Sequence, residues 1–393
     1  MRIENLIDQG RHILRRPITW LYVFAIALVA VMVNTLFSLR QDRLFEQSRD
    51  FPEILHLVDI AYVDEVDMSN LMPAAFQGAL ERLDDNASYL PPGVPPRDMR
   101  ELVFQRTGMV VVKQDGYAYA QVVATDSAAA VAGVKTGDFL RTISEKNTRQ
   151  LSLHQIQSLL TEESEYLEVE VLDIKTGKGI AHEIRPGSEF EIPRLQHQAF
   201  ADGLHHIRLG WFYPGFEDEI RKLISEFKEP NPKLLLDLRG NAMGDETALR
   251  TLASLFLPKG AIGAWINARK ESLDLVNTAE PAIKDGELFV LVDESTSQAS
   301  EQFGAAAQDL KKAQVIGRPT LGHADQYRAI PLKSGGHVVI STRGFKRVSD
   351  EMLTGKGFKP EVTITDVDGD SEEDQLLQKT LETIRSQPLK KAS

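Results

Sequence analysis

Strand-like and helix-like segments alternate through the second half of the chain, and this alternation constrains the fold more than any other feature. Leu234–Leu238 and Leu288–Val292 are short, largely apolar runs, as in strands that are buried on both faces. Helical patterning follows each run, at Glu246–Phe256 and at about Ala299–Leu310. Such an order favours a sheet with parallel strands and right-handed crossovers. The sequence therefore predicts an α/β domain over residues 205–365.

A smaller module is predicted before this domain. Residues 105–185 carry short β-rich segments at Met109–Val112, Ala118–Val123 and Leu167–Ile174, with two helical segments among them. A proline-rich linker around Pro91–Pro96 separates this module from the preceding residues. Those preceding residues, from 40 to 92, have apolar side chains at three- and four-residue spacing, which is typical of amphipathic helices.

The segment Pro17–Leu39 contains 23 residues and no charge. As a helix it is long enough to cross about 30 Å of hydrocarbon. A cleaved signal peptide is the alternative, but no small-x-small cleavage site follows the run, because Asn34-Thr35-Leu36-Phe37-Ser38 leads straight into Leu39-Arg40. The sequence predicts a single uncleaved helix in the inner (cytoplasmic) membrane. The weak excess of basic residues before it favours a cytoplasmic N-terminus and a periplasmic or otherwise extracytoplasmic body; these residues are Arg2, Arg11, Arg15 and Arg16, against Arg40, Arg43 and Arg49 after it.

Composition excludes several kinds of site. The chain has no cysteine, so it forms no disulfide, thiolate nucleophile, iron–sulfur cluster or cysteine-type zinc site. Its net charge is −12, which disfavours broad nucleic-acid binding. His205 and His206 are adjacent on a predicted strand and point to opposite faces, so they are not a shared metal site. We predict no metal and no cofactor.

These patterns divide the chain into six predicted parts. The acidic and helical tail is expected to be solvated. The parts are a cytoplasmic N-terminus at 1–16, a transmembrane anchor at 17–39, a helical region at 40–100, the small module at 101–187, the α/β core at 188–365 and the tail at 366–393.

Three loops are candidates for a functional site, because ligands bind beyond the carboxyl ends of strands in such sheets. They are Arg239–Asp245, Asp293–Glu301 and Arg318–His323. Around them, short motifs follow one another in the order of a known family. They are Thr107-Gly108-Met109, Ala132–Asp138, Leu236-Asp237-Leu238-Arg239-Gly240-Asn241 and Gly355–Glu361.

With these motifs the chain resembles the carboxy-terminal processing peptidases, the S41 family of serine peptidases. The resemblance covers nearly everything after residue 39. It implies that residues 101–187 form a PDZ domain and that residues 188–365 form a ClpP/crotonase-like α/β peptidase core. It also implies proteolysis by a serine nucleophile with a lysine base about 25 residues further on.

Both catalytic positions differ from the family pattern. Ala299-Ser300-Glu301 fixes the register and places Gln298 at the position of the nucleophile. Counting 25 residues onward places His323 at the position of the base. Gly244 belongs to the turn that corresponds to the oxyanion site, and we expect Met243 to crowd that turn.

We therefore interpret the chain as an inactive, membrane-anchored homologue. It is expected to bind protein partners or peptide C-termini through Thr107, Gly108, Met109 and Val110 of the PDZ domain, and assembly into an oligomer is left open as an alternative to a monomer. An active endopeptidase is the first alternative, with Ser297 as a nucleophile one position earlier and His323 as its base; Ser295 and Ser300 are further candidates. A structural component of an envelope complex is the second alternative.

Overall fold

The structure is a computed structural model that describes residues 17–187, 190–229, 231–283, 286–365 and 372–386. The chain divides between Ala74 and Ala75 into two compact units. The first unit holds helices α1 (Pro17–Ser48) and α2 (Asp50–Ala61), and helix α3 (Met68–Glu81) crosses the boundary. The predicted cytoplasmic segment 1–16 lies outside the described residues.

Helix α1 contains the predicted anchor. In the ranges that the structure describes, no helix meets the requirements of length and apolarity for crossing a membrane. The anchor therefore stays a prediction. Helix α2 carries apolar residues at helical spacing, as expected from the sequence, and buries none of its residues.

The second unit contains seventeen strands and most of the helices in its described part. Its helices are α4 (Arg100–Thr107), α5 (Ala128–Val131), α6 (Leu153–Thr161), α7 (Phe216–Ser225), α8 (Glu246–Phe256), α9 (Gln298–Asp309) and α10 (Glu372–Ser386). Its strands are β1 (Ser88–Leu90), β2 (Met109–Gln114), β3 (Tyr117–Val123), β4 (Phe139–Ile143), β5 (Lys146–Asn147), β6 (Leu167–Leu172), β7 (Gly179–Ile184), β8 (Gln196–Ala199), β9 (Leu204–Arg208), β10 (Lys233–Asp237), β11 (Gly260–Ile266), β12 (Ser272–Asn277), β13 (Glu287–Val292), β14 (Ala313–Gly317), β15 (Gln326–Pro331), β16 (His337–Lys346) and β17 (Val362–Thr363).

The central sheet has the order β17-β14-β13-β10-β9-β8. All of its neighbouring pairs are parallel except β8 with β9, which is antiparallel. The predicted α/β domain is therefore present. Because the strands are parallel, the loops after β10, β13 and β14 leave the same edge of the sheet.

The two faces of the central sheet are covered by different helices. Alternate strand residues such as Leu234 and Val290 pack with α7, α8 and α9 in the main core. The residues between them, such as Leu235 and Phe289, pack with the C-terminal helix α10. The prediction of a solvated tail is thus wrong for the described part of residues 366–393, because α10 covers an apolar sheet face that water would otherwise contact. Residues 366–371 and 387–393 lie outside the description.

Two further sheets flank the central one. An antiparallel sheet of order β1-β16-β11-β12, with β15 paired to β16, was not predicted as a unit. The small module at 101–187 is a sheet of order β2-β3-β4-β6-β7, in which β5 pairs with β4. Its core contains Val111, Leu140 and Ile156. A second cluster joins the module to the α/β core, where Phe104 packs against Trp211 with the two rings tilted by 41° and their centroids 4.5 Å apart.

Candidate active site

The three loops after β10, β13 and β14 meet at one cavity of about 350 Å³. Gly244, Gln298 and His323, which sequence reasoning placed at separate catalytic positions, all line this cavity. Ser297 lines it as well. The parallel topology brings these residues together, since each follows the carboxyl end of a strand in the same sheet.

Gln298 begins helix α9 with a strained backbone. Its φ is 52°, in the left-handed region that residues other than glycine, asparagine and aspartate seldom adopt. Its N–H donates to the carbonyl of His323 at 2.8 Å. A tight, strained turn between a strand and a helix is the backbone form that presents a nucleophile in other hydrolases. Here the same kind of turn presents a carboxamide.

The neighbouring serines occupy different environments. Ser297 precedes α9, and its N–H donates to the carbonyl of Asn241 at 3.1 Å. The Ser295 hydroxyl donates to Asp293 and accepts from the Gly240 N–H, so it ties two loops together. Ser300 is fully buried, its hydroxyl has no partner among the described residues, and it does not line the cavity. Of the three serines considered from the sequence, only Ser297 faces the cavity.

His323 is held by a residue of the small module. Its Nδ1 lies 3.0 Å from Nε2 of Gln121 on β3. Burial lowers the pKa of His323 below the ordinary imidazole value, so the ring is neutral at pH 7. When Gln121 donates through Nε2, Nδ1 accepts, and the ring proton lies on Nε2. In this tautomer neither ring nitrogen has a lone pair available to take a proton from a serine.

Residues of the first turn of α9 form hydrogen bonds with the loop that carries His323. Besides the bond from Gln298, the N–H of Gly322 donates to Oε1 of Glu301 at 2.7 Å. Nε2 of Gln302 donates to the carbonyl of Ala324 at 3.2 Å. Burial raises the pKa of Glu301 to about 7. Sequence reasoning missed Glu301 and Gln302, although they lie three and four positions after Gln298 and therefore on the same helix face.

The turn after β10 differs from expectation at one residue. Gly244 has a φ of 99°, and a Cβ there would lie 2.5 Å from the Phe212 ring and 2.9 Å from Ala299. Glycine is therefore required. Met243 was expected to crowd the turn, but its side chain packs against the cluster that contains Phe104, Trp211 and Ala242 and is not among the residues that line the cavity. The structure thus gives this side chain an apolar environment outside the cavity lining.

Comparison with known proteins agrees with this architecture. Residues 204–364 match peptidase family S41. The chain carries an S41 peptidase domain. Relatives include a carboxy-terminal-processing protease of Bartonella bacilliformis, 24% identical over 87% of this chain and 80% of that protein. A probable CtpA-like serine protease of Staphylococcus aureus is 30% identical over 36% of this chain and 29% of that protein. The solved photosystem II D1 C-terminal processing protease has a similar fold, with a TM-score of 0.67 and 19% identity over 82% of this chain and 94% of that one.

Outside the S41 domain, the residues predicted to bind a peptide carboxylate are buried. Thr107, Met109 and Val110 expose none of their surface. The N–H of Gly108 donates to the carbonyl of Phe104, and the N–H of Met109 donates to the Thr107 hydroxyl. In this conformation these two N–H groups are bonded within the loop. A terminal carboxylate would therefore have to displace these bonds or bind elsewhere in the module.

The S41 domain also contains a buried ion pair next to the cavity loops. Arg239 bonds both oxygens of Asp237, with Nη2 at 2.7 Å and Nε at 2.9 Å. His206 contacts the same carboxylate at 3.2 Å, whereas His205 contacts Glu229. The two histidines thus have separate partners. In the described ranges, no group of three or more possible metal ligands is arranged to hold an ion.

Proposed function

We propose that the chain is a proteolytically inactive S41 homologue that binds extended peptide segments in the cavity around Gln298 and His323. The observation that carries the proposal is the replacement of the nucleophile by Gln298 within a strained turn. A carboxamide nitrogen is not a nucleophile at neutral pH. The turn nevertheless keeps its backbone strain, although residue 298 carries no nucleophile. The strained backbone thus serves to position a hydrogen-bonding group.

The lining of the cavity supports peptide binding. Six side-chain carboxamides line it, and each can donate to and accept from a peptide backbone; they are Asn86, Gln121, Gln157, Gln298, Gln302 and Gln326. The cavity extends to Val112 on the edge strand β2 and to the first turn of α6. An edge strand beside a groove is the arrangement used for β-augmentation. We propose that residues 101–187 act as a PDZ domain that receives the ligand here.

An active endopeptidase is the second candidate, since Ser297 and His323 line the same cavity. Against it, Nδ1 of His323 is bonded to Gln121. Activity would require the ring to exchange this bond for one to Ser297.

A single set of assays separates the two candidates. The purified chain is incubated with casein and with a fluorophosphonate probe, beside the variants Ser297→Ala and His323→Ala. The proposal expects no casein cleavage and no labelling in any of the three. Cleavage by the unmodified chain that either variant abolishes would establish the peptidase instead. Peptide capture on the immobilised chain tests the binding itself.

We further propose that Pro17–Leu39 anchors the chain in the cytoplasmic membrane, with residues 40–393 on the extracytoplasmic side. The proposal rests on the uncharged run and on the bias of basic residues around it. The full-length chain should stay with membranes through a carbonate wash. Release of a shortened soluble form would contradict the anchor.

A further inference from the structure

Two glutamine oxygens in the lining of the cavity have no hydrogen-bond donor among the described residues. Gln302 and Gln326 both line the cavity, and Oε1 of each is buried without a partner in the described chain. Only 2% of Gln302 is exposed. Its Nε2 donates to the carbonyl of Ala324, which fixes the orientation of the amide and leaves Oε1 as the group without a partner. A buried acceptor of this kind is satisfied when a ligand brings a donor.

A carboxylate lies beside these acceptors. Asp325 directly follows Ala324, lines the same cavity and accepts a hydrogen bond from the Ser341 hydroxyl at 2.7 Å. Burial, with a smaller contribution from the negative charge of Asp84, raises the pKa of Asp325 to about 6, against the lowering effect of the Ser341 hydrogen bond. The charged side chain that affects Asp325, Asp84, is therefore negative like Asp325 itself.

The positive side chains of the cavity belong to a different segment. Arg97 and Arg100 line the cavity from the residues before and at the start of α4, and Arg100 is paired with Asp98. His323 is neutral at pH 7 because burial lowers its pKa. The Gln302 bond to the carbonyl of Ala324 brings its amide to the segment that carries Asp325 and Gln326. These three lining residues, which we call the acceptor end, thus present acceptors and a negative charge.

We propose that this acceptor end binds the side-chain ammonium of a lysine carried by the peptide ligand. The inference rests on the proposed function and adds a side-chain preference to it. An ammonium has three N–H donors and no acceptor, which matches one oxygen each from Gln302, Asp325 and Gln326. Its positive charge also compensates the carboxylate, and charge-assisted bonds of this kind are the stronger ones.

To test this, the full chain is immobilised in detergent and exposed to a pool of random decapeptides. Retained peptides are sequenced by mass spectrometry, and the same pool with its lysines acetylated is the matched ligand control. We expect lysine to be enriched about tenfold among retained peptides and acetylation to remove the enrichment. Asp325→Asn should lower the enrichment, whereas Asp218→Asn, at an exposed position of α7 that does not line the cavity, should leave it unchanged.

The outcomes distinguish this inference from the proposed function. Retention of peptides without lysine enrichment would overturn the lysine site and leave peptide binding intact. Enrichment of arginine in place of lysine would overturn the assignment to an ammonium. Retention of no peptide would overturn both. The comparison of acetylated with unmodified peptides uses only the unmodified chain, so it stays decisive even if Asp325→Asn fails to fold.

Discussion

Nε2 of Gln121 lies 3.0 Å from Nδ1 of His323, although 202 positions separate the two residues in the chain. The contact joins a strand of the small module to the loop that corresponds to the catalytic base. Gln121 is 1% exposed and His323 is partly buried, so the loss of the hydrogen bond between them is costly. The small module therefore takes part in forming the site rather than only flanking it.

Removal of this contact should lower the unfolding free energy, and the effects of substituting Gln121 and His323 should not be additive. Gln121→Ala leaves Nδ1 of a buried imidazole without a donor, which costs about 1–3 kcal/mol of unfolding free energy. Combined with His323→Ala, the two losses should fall short of additivity by about 1 kcal/mol, because both remove the same bond. Urea unfolding measures each free energy. The matched control pairs Gln121→Ala with His154→Ala, which lines the same cavity, and these two losses should add.

Because the backbone at Gln298 is strained, we expect glycine at this position to give a more stable protein than alanine. At Gln298, with φ at 52°, Gln298→Gly should be more stable than Gln298→Ala by about 1 kcal/mol, because glycine adopts the left-handed region without steric cost. At the exposed position Lys222 within α7 the order should reverse, since alanine exceeds glycine by about 1 kcal/mol in an ordinary helix. Thermal unfolding compares the four variants. The same order of glycine and alanine at both positions would refute the strain.

Glu301 should make stability fall as the pH rises. Its pKa is about 7 in the folded chain and near 4.5 when unfolded. Between these values the folded state holds a proton that the unfolded state has lost, so the unfolding free energy decreases from pH 4.5 through pH 7. Glu301→Gln keeps Oε1 as the acceptor for Gly322 and removes the titration. The variant should be more stable at pH 8, by up to the order of 3 kcal/mol.

The comparison of both proteins across this pH range isolates Glu301, because Asp325 and His323 titrate in each. Asp325→Asn serves as the control, and the pH dependence that it removes should lie between the usual aspartate pKa and about 6, with a constant difference above that range. Parallel stability curves for Glu301→Gln and the unmodified chain would show that Glu301 keeps an ordinary pKa.

Much of the central sheet could be predicted from local pattern. Glu246–Phe256 was predicted as a helix and forms one with the same bounds, because its apolar spacing and the Asp245 cap are both local signals. The antiparallel strands β11 and β12 were missed, since β12 alternates weakly and exposes Leu273 and Val276. The docking of α10 depends on which sheet face the other helices leave uncovered. That information lies in the topology and not in the tail itself.

The site was predictable only in part for a related reason. Spacing from Ala299-Ser300-Glu301 placed Gln298 and His323, and both line the cavity. The direction of the Met243 side chain depends on the dihedral angles of a turn, which a residue pattern does not specify. The contact between Gln121 and His323 depends on how the small module docks. Neither could be predicted without the three-dimensional arrangement.

The last prediction concerns rebuilding the catalytic pair. The unmodified chain, and the chain with Ser295, Ser297 or Ser300 changed to alanine, should neither cleave casein nor react with a fluorophosphonate. Gln298→Ser with His323→Lys restores the two reacting groups within the strained turn, and it should gain fluorophosphonate labelling. Gln298→Ala with His323→Lys is the matched control and should gain none.

Adding Met243→Gly to this pair tests the geometry of the turn. If Met243 crowded the cavity, its removal would raise the reaction rate, because a nearby oxyanion donor is worth on the order of 100-fold in turnover. The Met243 side chain packs against the cluster that contains Phe104 and Trp211 and is not among the residues that line the cavity. We therefore expect no gain in labelling rate and a stability loss of about 1–3 kcal/mol, from lost packing and from the flexibility of glycine. Faster labelling with unchanged stability would place the Met243 side chain in the cavity after all.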